Sequence, residues 1–185
     1  MRLIAVLAVL VATCGSAGAQ SLATNPQSSV TLPSTTTPYP ANSLIANNPT
    51  AGGVVVPSLQ FSNTMFGGGA AIMRLRLASN DSTSTSWGGV SVQVDLWSSP
   101  PTFTNGDRGT WLVATGSATH IGSYSCAMSA MAGDGSYAEC APSVASTALQ
   151  RPPSGNQIYW TLEAVTASGV TGASKVFTLT AEMLN

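Results

Sequence analysis

The sequence is short of charge. Only 7% of its 185 residues are Asp, Glu, Lys or Arg, against about 25% in an average soluble domain. The formal net charge is −1, which provides no footprint for nucleic acid or for an anionic membrane surface. Disorder is not expected, because 44% of residues are hydrophobic and the β-branched and aromatic ones fall in short regular runs. A surface built from hydroxyl and amide groups suits contact with another protein or with sugars.

Groups that carry chemistry are equally scarce. His120 is the only histidine, and no Gly-x-Ser-x-Gly motif supplies a nucleophile. Asp95 and Glu163 lie on the outward faces of predicted strands, and in principle such a pair of carboxylates serves a glycosidase. Solvation, or ion pairs with Arg74, Arg76 or Lys175 across the sheet, explains them better. The sequence therefore predicts a protein without catalytic residues.

Metal and phosphate motifs are missing as well. Asn105-Gly106-Asp107 and Gly133-Asp134-Gly135 lack the dense acidic spacing of calcium loops and are typical of turns. The run Gly67-Gly68-Gly69 has no Lys-Ser/Thr partner for phosphate binding. No CxxC motif indicates zinc. We therefore expect neither a metal nor a cofactor.

The first 19 residues follow the pattern of a signal peptide: Arg2 is basic, an apolar run occupies 3–12, and small residues end at Ala19. The run is too short to span a bilayer. Cleavage after Ala19 predicts export to the periplasm or the medium, with no membrane contact afterwards. Two alternatives remain: a retained hydrophobic N-terminus, or lipidation at Cys14.

Cys126 and Cys140 remain as an even pair once Cys14 is assigned to this leader. In an oxidising compartment the simplest expectation is that they bridge each other. The turn-forming residues 133–136 lie between them, which favours a disulfide across a hairpin.

Residues 20–48 are rich in Pro, Ser, Thr and Asn. Proline removes backbone donors, so this stretch predicts an extended arm or an edge strand, and not a central strand.

Residues 49–185 predict a single all-β domain, an antiparallel β-sandwich with a jelly-roll-like arrangement. Val92, Val94 and Leu96 share one face of a strand, while Asp95 and Trp97 share the other. Strands recur at short spacing between Gly/Pro turns, and no segment keeps a helical period. The clearest predicted strands cover 54–61, 70–78, 90–97, 111–115, 120–128, 157–166 and 175–183.

The tryptophans admit two interpretations, a sugar-stacking platform or core and interface packing. Trp160 has the inward phase of its strand and is expected in the core, whereas Trp97 has the outward phase. Core or interface packing is preferred, with Trp97, Trp87 and Phe103 as the candidate surface contacts.

Two segments carry a family resemblance. Residues 92–109 (VQVDLWSSPPTFTNGDRG) join a strand to a proline stretch and a Thr-Phe-Thr-Asn turn, and residues 157–185 contain IYWTLEAVTASGV and KVFTLTAEMLN. Over roughly 31–185 the chain resembles small β-sandwich virion proteins of tailed bacteriophages, which decorate capsids or associate with tails. The resemblance implies a structural role in the virion, with other virion proteins or copies of itself as partners. An export signal departs from this pattern, because such virions assemble in the cytoplasm. The alternative is a secreted carbohydrate-binding or adhesin-like module that recognises a host-surface glycan.

Overall fold

The computed structural model describes residues 25–61, 71–82, 86–131, 135–143 and 156–184. The leader, Cys14, Gly67–Gly69 and the turn residues 133–134 lie outside these ranges. Within them the chain is almost entirely β-structure, which confirms the predicted all-β class. Its strands are β1 (Gln27–Thr31), β2 (Ser43–Ile45), β3 (Ser58–Gln60), β4 (Ala71–Ser79), β5 (Ser91–Trp97), β6 (Thr102–Phe103), β7 (Val113–Thr115), β8 (His120–Ala127), β9 (Ser129–Met131), β10 (Gly135–Pro142), β11 (Gln157–Ala164) and β12 (Val176–Leu184). The described ranges contain only two helical segments, both 3-10 turns of 3 residues: Ala51–Gly53 and Ser117–Thr119.

Ten of these strands form one antiparallel sheet. Its order from edge to edge is β1-β12-β4-β10-β8-β5-β11-β2, with β3 added to β11 and β9 to β10. Strands β5, β8 and β10 form a meander, and β4, which precedes them, returns beside β10, as in a Greek key. The antiparallel prediction is confirmed, while the jelly-roll arrangement stays a prediction. Strands β6 and β7 pair separately.

The sheet curls around one core, so that strands from its two ends approach each other. Trp160 Nε1 on β11 donates a hydrogen bond of 3.2 Å to Ser28 Oγ on β1. Alternating residues of each strand point into the curl; on β5 these are Val92, Val94 and Leu96, all fully buried as predicted. Trp160 lies in this core, also as predicted. The sequence pattern therefore places the core on the correct face.

The described part of the N-terminal stretch, residues 25–48, is built into this sheet. Strand β1 pairs with β12, and β2 pairs with β11. Both lie at the ends of the strand order, so the predicted edge-strand character is confirmed. The prediction of a separate arm that ends at residue 48 is wrong for these residues. The reason is spacing: the prolines flank β1 and β2 and leave every ladder position free for pairing.

The disulfide forms where the sequence predicts it. Cys126 on β8 lies directly opposite Cys140 on β10, and their sulfurs are 2.01 Å apart. Both residues are buried in the main core. The bridge therefore crosslinks two central strands of the sheet.

The predicted outward arginines form ion pairs, although with different partners from those weighed above. Arg74 lies 2.9 Å from Glu139 and 3.5 Å from Glu182. Arg76 lies 3.0 Å from Glu182 and 3.4 Å from Glu139. These residues form a neutral ion-pair quartet on the outer face of β4, β10 and β12, in which each charge has two opposite neighbours.

Candidate binding pocket

A chain segment covers part of the outer sheet face. After β5 the chain leaves the sheet at Pro100 and Pro101, which supply no backbone donors. Residues 98–119, which we call the cover hairpin, contain β6 and β7 and return to the start of β8. A hydrogen bond of 2.8 Å from Ser98 N to Thr119 O closes its base. The part of the outer face of β5 and β8 that carries Asp95, Trp97 and Ser123 therefore lies beneath this hairpin.

The far end of the cover hairpin is fastened to the N-terminal segment. Asp107 Oδ1 accepts hydrogen bonds of 2.8 Å from Tyr39 OH and from Ala46 N. The Arg108 guanidinium lies 4.1 Å above the Tyr39 ring centroid. Gly106 allows the close approach, since a Cβ there would collide with the Pro49 carbonyl. The Asn-Gly turn is formed as expected, and its aspartate is a buried anchor.

A pocket of about 420 Å³ opens between the cover hairpin and the sheet. It combines apolar side chains with a row of polar ones. The hairpin contributes Trp111, Leu112, Val113 and Ser117, and the sheet contributes Gln93, Asp95, Trp97, His120 and Ser123. Leu112 is 53% exposed at its rim. The size of the pocket and its mixed lining fit a small ligand.

Asp95 is the centre of the polar row. It is 1% exposed and lies opposite Ser123 in the ladder between β5 and β8. Ser123 Oγ donates to Asp95 Oδ1 at 2.5 Å, and His120 Nε2 lies 3.1 Å from the same oxygen. Gln93 Nε2 lies 3.2 Å from both carboxylate oxygens. Burial is tolerated here because each carboxylate oxygen receives hydrogen bonds.

This serine–histidine–aspartate cluster differs from a catalytic relay. In a relay, histidine contacts aspartate through one ring nitrogen and serine through the other. In this pocket His120 Nε2 faces both groups, at 3.1 Å from Ser123 Oγ as well. Ser123 also donates directly to Asp95. The Ser123 hydroxyl is therefore directed at Asp95, and His120 does not link the two groups in series as the histidine of a relay does.

Glu163 shares the outer sheet face with Asp95 and lies opposite Gln93 in the β5–β11 ladder. Burial raises the pKa of its carboxyl, and the neighbouring Asp95 carboxylate raises it further. The two carboxylates are therefore close enough to interact electrostatically, on the shared outward face that their phase predicts. The described arginines Arg74, Arg76 and Arg108 form their ion pairs with carboxylates other than these two.

The predicted surface contacts at the aromatic residues are wrong. Trp87 is fully buried and packs against Phe177 with ring centroids 4.7 Å apart. Trp97 has the outward phase, but the cover hairpin leaves it 2% exposed, and its Nε1 donates to Thr161 Oγ1 at 2.9 Å. Phe103 is 6% exposed in a small second core with Leu44 and Ala46. Trp97 nevertheless forms part of the pocket wall, edge-on to His120 at 4.8 Å.

Sequence reasoning missed the polar members of the pocket. Gln93, Ser117 and Ser123 carry no motif. The register of β5 with β8 brings Gln93 and Ser123 beside Asp95 and His120, and the cover hairpin brings Ser117. The one available sign of the site was Asp95, a carboxylate on the outward face of a strand with clear hydrophobic alternation.

Comparison with known proteins gives no family: no protein-family model, no curated protein and no solved structure matches this chain. Among the described residues, no cluster of three or more His, Cys, Asp or Glu is arranged to hold a metal ion. No helix in the described ranges is long and apolar enough to cross a membrane.

Proposed function

We propose that this chain is a non-enzymatic binding module that takes a carbohydrate in the pocket beneath the cover hairpin. The observation that carries the proposal is the pairing of Trp111 and Leu112 on one wall with Gln93, His120 and Ser123 on the other. A sugar ring offers apolar C–H faces and a rim of hydroxyls. An aromatic wall beside a polar row complements both.

The cluster around Asp95 supports binding over catalysis. Its hydrogen bonds fix three polar side chains at the pocket floor in advance of any ligand. Such preorganisation lowers the cost of ordering side chains on binding. The carboxylate itself is buried and serves as the fixed acceptor of this network.

A glycan-array screen followed by calorimetry tests the proposal. Replacing Trp111→Ala removes the aromatic wall and should weaken binding at least about tenfold, the size of an interface hot spot. Tyr137→Ala is the matched control, because Tyr137 is a 47% exposed aromatic residue on the outer face of β10, away from the pocket. If the unmodified protein binds no glycan, or if both variants lose binding equally, the proposal is wrong.

The second candidate function is that of a phage-type virion structural protein, either capsid-decorating or tail-associated. Its support is the outer face of β1, β12, β4 and β10, which no segment of the described residues covers. There Ser29 Oγ and Thr178 Oγ1 are hydrogen-bonded at 2.8 Å, and the ion-pair quartet leaves no net charge. A neutral, hydroxyl-rich face suits packing against other virion proteins or copies of this chain. Mass spectrometry of purified virions from the encoding strain tests this, and the absence of the protein from them would reject it.

Export is the localisation proposed for the carbohydrate-binding role, and the virion is the localisation for the structural role. The intact mass of the native protein separates them. A mature chain that begins at Gln20 establishes cleavage and export, whereas a chain that retains Met1 and Arg2 contradicts it.

A further inference from the structure

The polar row of the pocket presents mainly acceptors, because Asp95 takes up most of the donors around it. A carboxylate only accepts hydrogen bonds. The hydroxyl hydrogen of Ser123 and an amide hydrogen of Gln93 are therefore directed at Asp95. His120 Nε2 faces Asp95 Oδ1 at 3.1 Å, so this is the ring nitrogen placed to direct a hydrogen at the carboxylate.

What these side chains have left for a ligand follows from the same inventory. Gln93 retains its carbonyl oxygen Oε1 and its second amide hydrogen, Ser123 retains the lone pairs of Oγ, and His120 with its hydrogen on Nε2 retains Nδ1 as an acceptor. A ligand that meets this row satisfies it with hydrogen-bond donors. Hydroxyl groups of a sugar are donors, whereas carboxylate and sulfate groups are not.

The charges near the pocket act in the same direction. Asp95 lies beneath it, and Glu163 lies on the adjacent strand of the same face. Among the described residues of the lining, His120 is the only basic one. The arginines of the described chain are engaged elsewhere: Arg74 and Arg76 in the quartet, and Arg108 at 3.3 Å from Asp107. An anionic ligand would meet unfavourable charge and few donors.

We propose that the pocket accepts uncharged saccharides and excludes acidic ones. This inference rests on the proposed carbohydrate function. The ligand class follows from the hydrogen bonds of the pocket. Asp95 accepts hydrogen bonds from its neighbours, and these side chains then offer a ligand mainly their acceptor atoms.

Calorimetry at neutral pH tests the inference with hexasaccharides of glucose, galactose or N-acetylglucosamine against hexasaccharides of galacturonic acid. We expect the best uncharged hexasaccharide to bind at least about tenfold more tightly than the acidic one, the effect of one misplaced polar contact. Equal or tighter binding of the acidic hexasaccharide overturns the inference and leaves the carbohydrate function standing. Failure to bind any glycan, here and on the array, overturns the carbohydrate function itself.

Asp95→Asn gives the sharper arm of the test. The replacement side chain supplies N–H donors where Asp95 accepts, so Ser123 and Gln93 regain donors and the negative charge is lost. The ratio of uncharged to acidic affinity should narrow to within about threefold. Glu139→Gln is the matched control, because it removes a 52% exposed carboxylate of the quartet, on the opposite half of the sheet. It should leave the ratio unchanged.

Glu163→Gln covers the case in which Asp95→Asn does not fold. It removes a charge from the pocket face and leaves the hydrogen bonds of Asp95 in place, so it too should narrow the ratio. A ratio that stays at the unmodified value in every folded pocket variant contradicts the inference.

Discussion

The Tyr39 hydroxyl donates a hydrogen bond of 2.8 Å to Asp107 Oδ1 and so joins the N-terminal segment to the cover hairpin. Tyr39 is fully buried, and burial together with the Asp107 carboxylate raises the pKa of its hydroxyl. This bond helps to hold the cover hairpin in place, and the cover hairpin forms one wall of the pocket.

Replacing Tyr39→Phe should lower the free energy of unfolding by about 1–3 kcal/mol, because it leaves a buried carboxylate with one donor fewer. Urea denaturation measures the change. Tyr137→Phe is the matched control, since an exposed hydroxyl is replaced by water, and its effect should stay within about 0.5 kcal/mol. Equal effects of the two variants would show that the Tyr39–Asp107 bond contributes nothing.

Glu163 makes stability depend on pH. Its pKa in the folded protein is raised above the ordinary value of 4.5, so the folded state holds the proton more tightly than the unfolded chain. The free energy of unfolding should therefore fall as pH rises from the ordinary value through the raised one. Because Glu163 is half-buried, solvent screening keeps the effect modest.

Denaturation of the unmodified protein and of Glu163→Gln across this pH interval measures that contribution. The variant should show the flatter dependence. Burial also raises the pKa of Asp107. Asp107 therefore adds the same pH dependence to the stability of both proteins, and the difference between their curves measures the contribution of Glu163. Parallel curves would contradict the prediction.

Deleting residues 25–48 should abolish cooperative folding, because it removes two edge strands and the buried Tyr39. Circular dichroism and thermal unfolding measure the outcome, with the chain that begins at Gln20 as the control. An arm that lay outside the domain would leave a folded core after the same deletion. Retention of a sharp unfolding transition would thus favour the arm over the integrated strands.

The double replacement of Cys126→Ala and Cys140→Ala should lower stability by about 3 kcal/mol, from a loop closed over 14 residues. Guanidinium denaturation without reductant measures it, and Ser125→Ala, at an exposed neighbour on β8, controls for the strand itself. The bridge would be dispensable if the two variants unfolded at the same midpoint.

Local pattern was sufficient for the fold class and the core. Alternation on β5 placed Val92, Val94 and Leu96 inside, and cysteine spacing paired Cys126 with Cys140. The first inference needs only the alternation within one strand. The second needs only that no other cysteine follows the predicted leader.

The site depended on long-range register, which a single sequence does not specify. Asp95 meets Ser123 only because β5 and β8 pair with these residues opposite each other. Trp97 has the outward phase on β5, yet the cover hairpin buries it. Periodicity assigns a face to each residue, and it does not say what later folds over that face.

The antiparallel pairing of β1 with β12 has a mechanical consequence. Gln27 lies beside Thr180, so the start of β1 and the last part of β12 leave the sheet at the same end. Tension applied through the two ends of the described chain would open this ladder one rung after another, as a zipper opens, instead of shearing all of its rungs together. The peeling would proceed inward from the sheet edge toward the covalently crosslinked strands β8 and β10. A molecule tethered in this way would yield at its margin under low force while its crosslinked centre stayed closed.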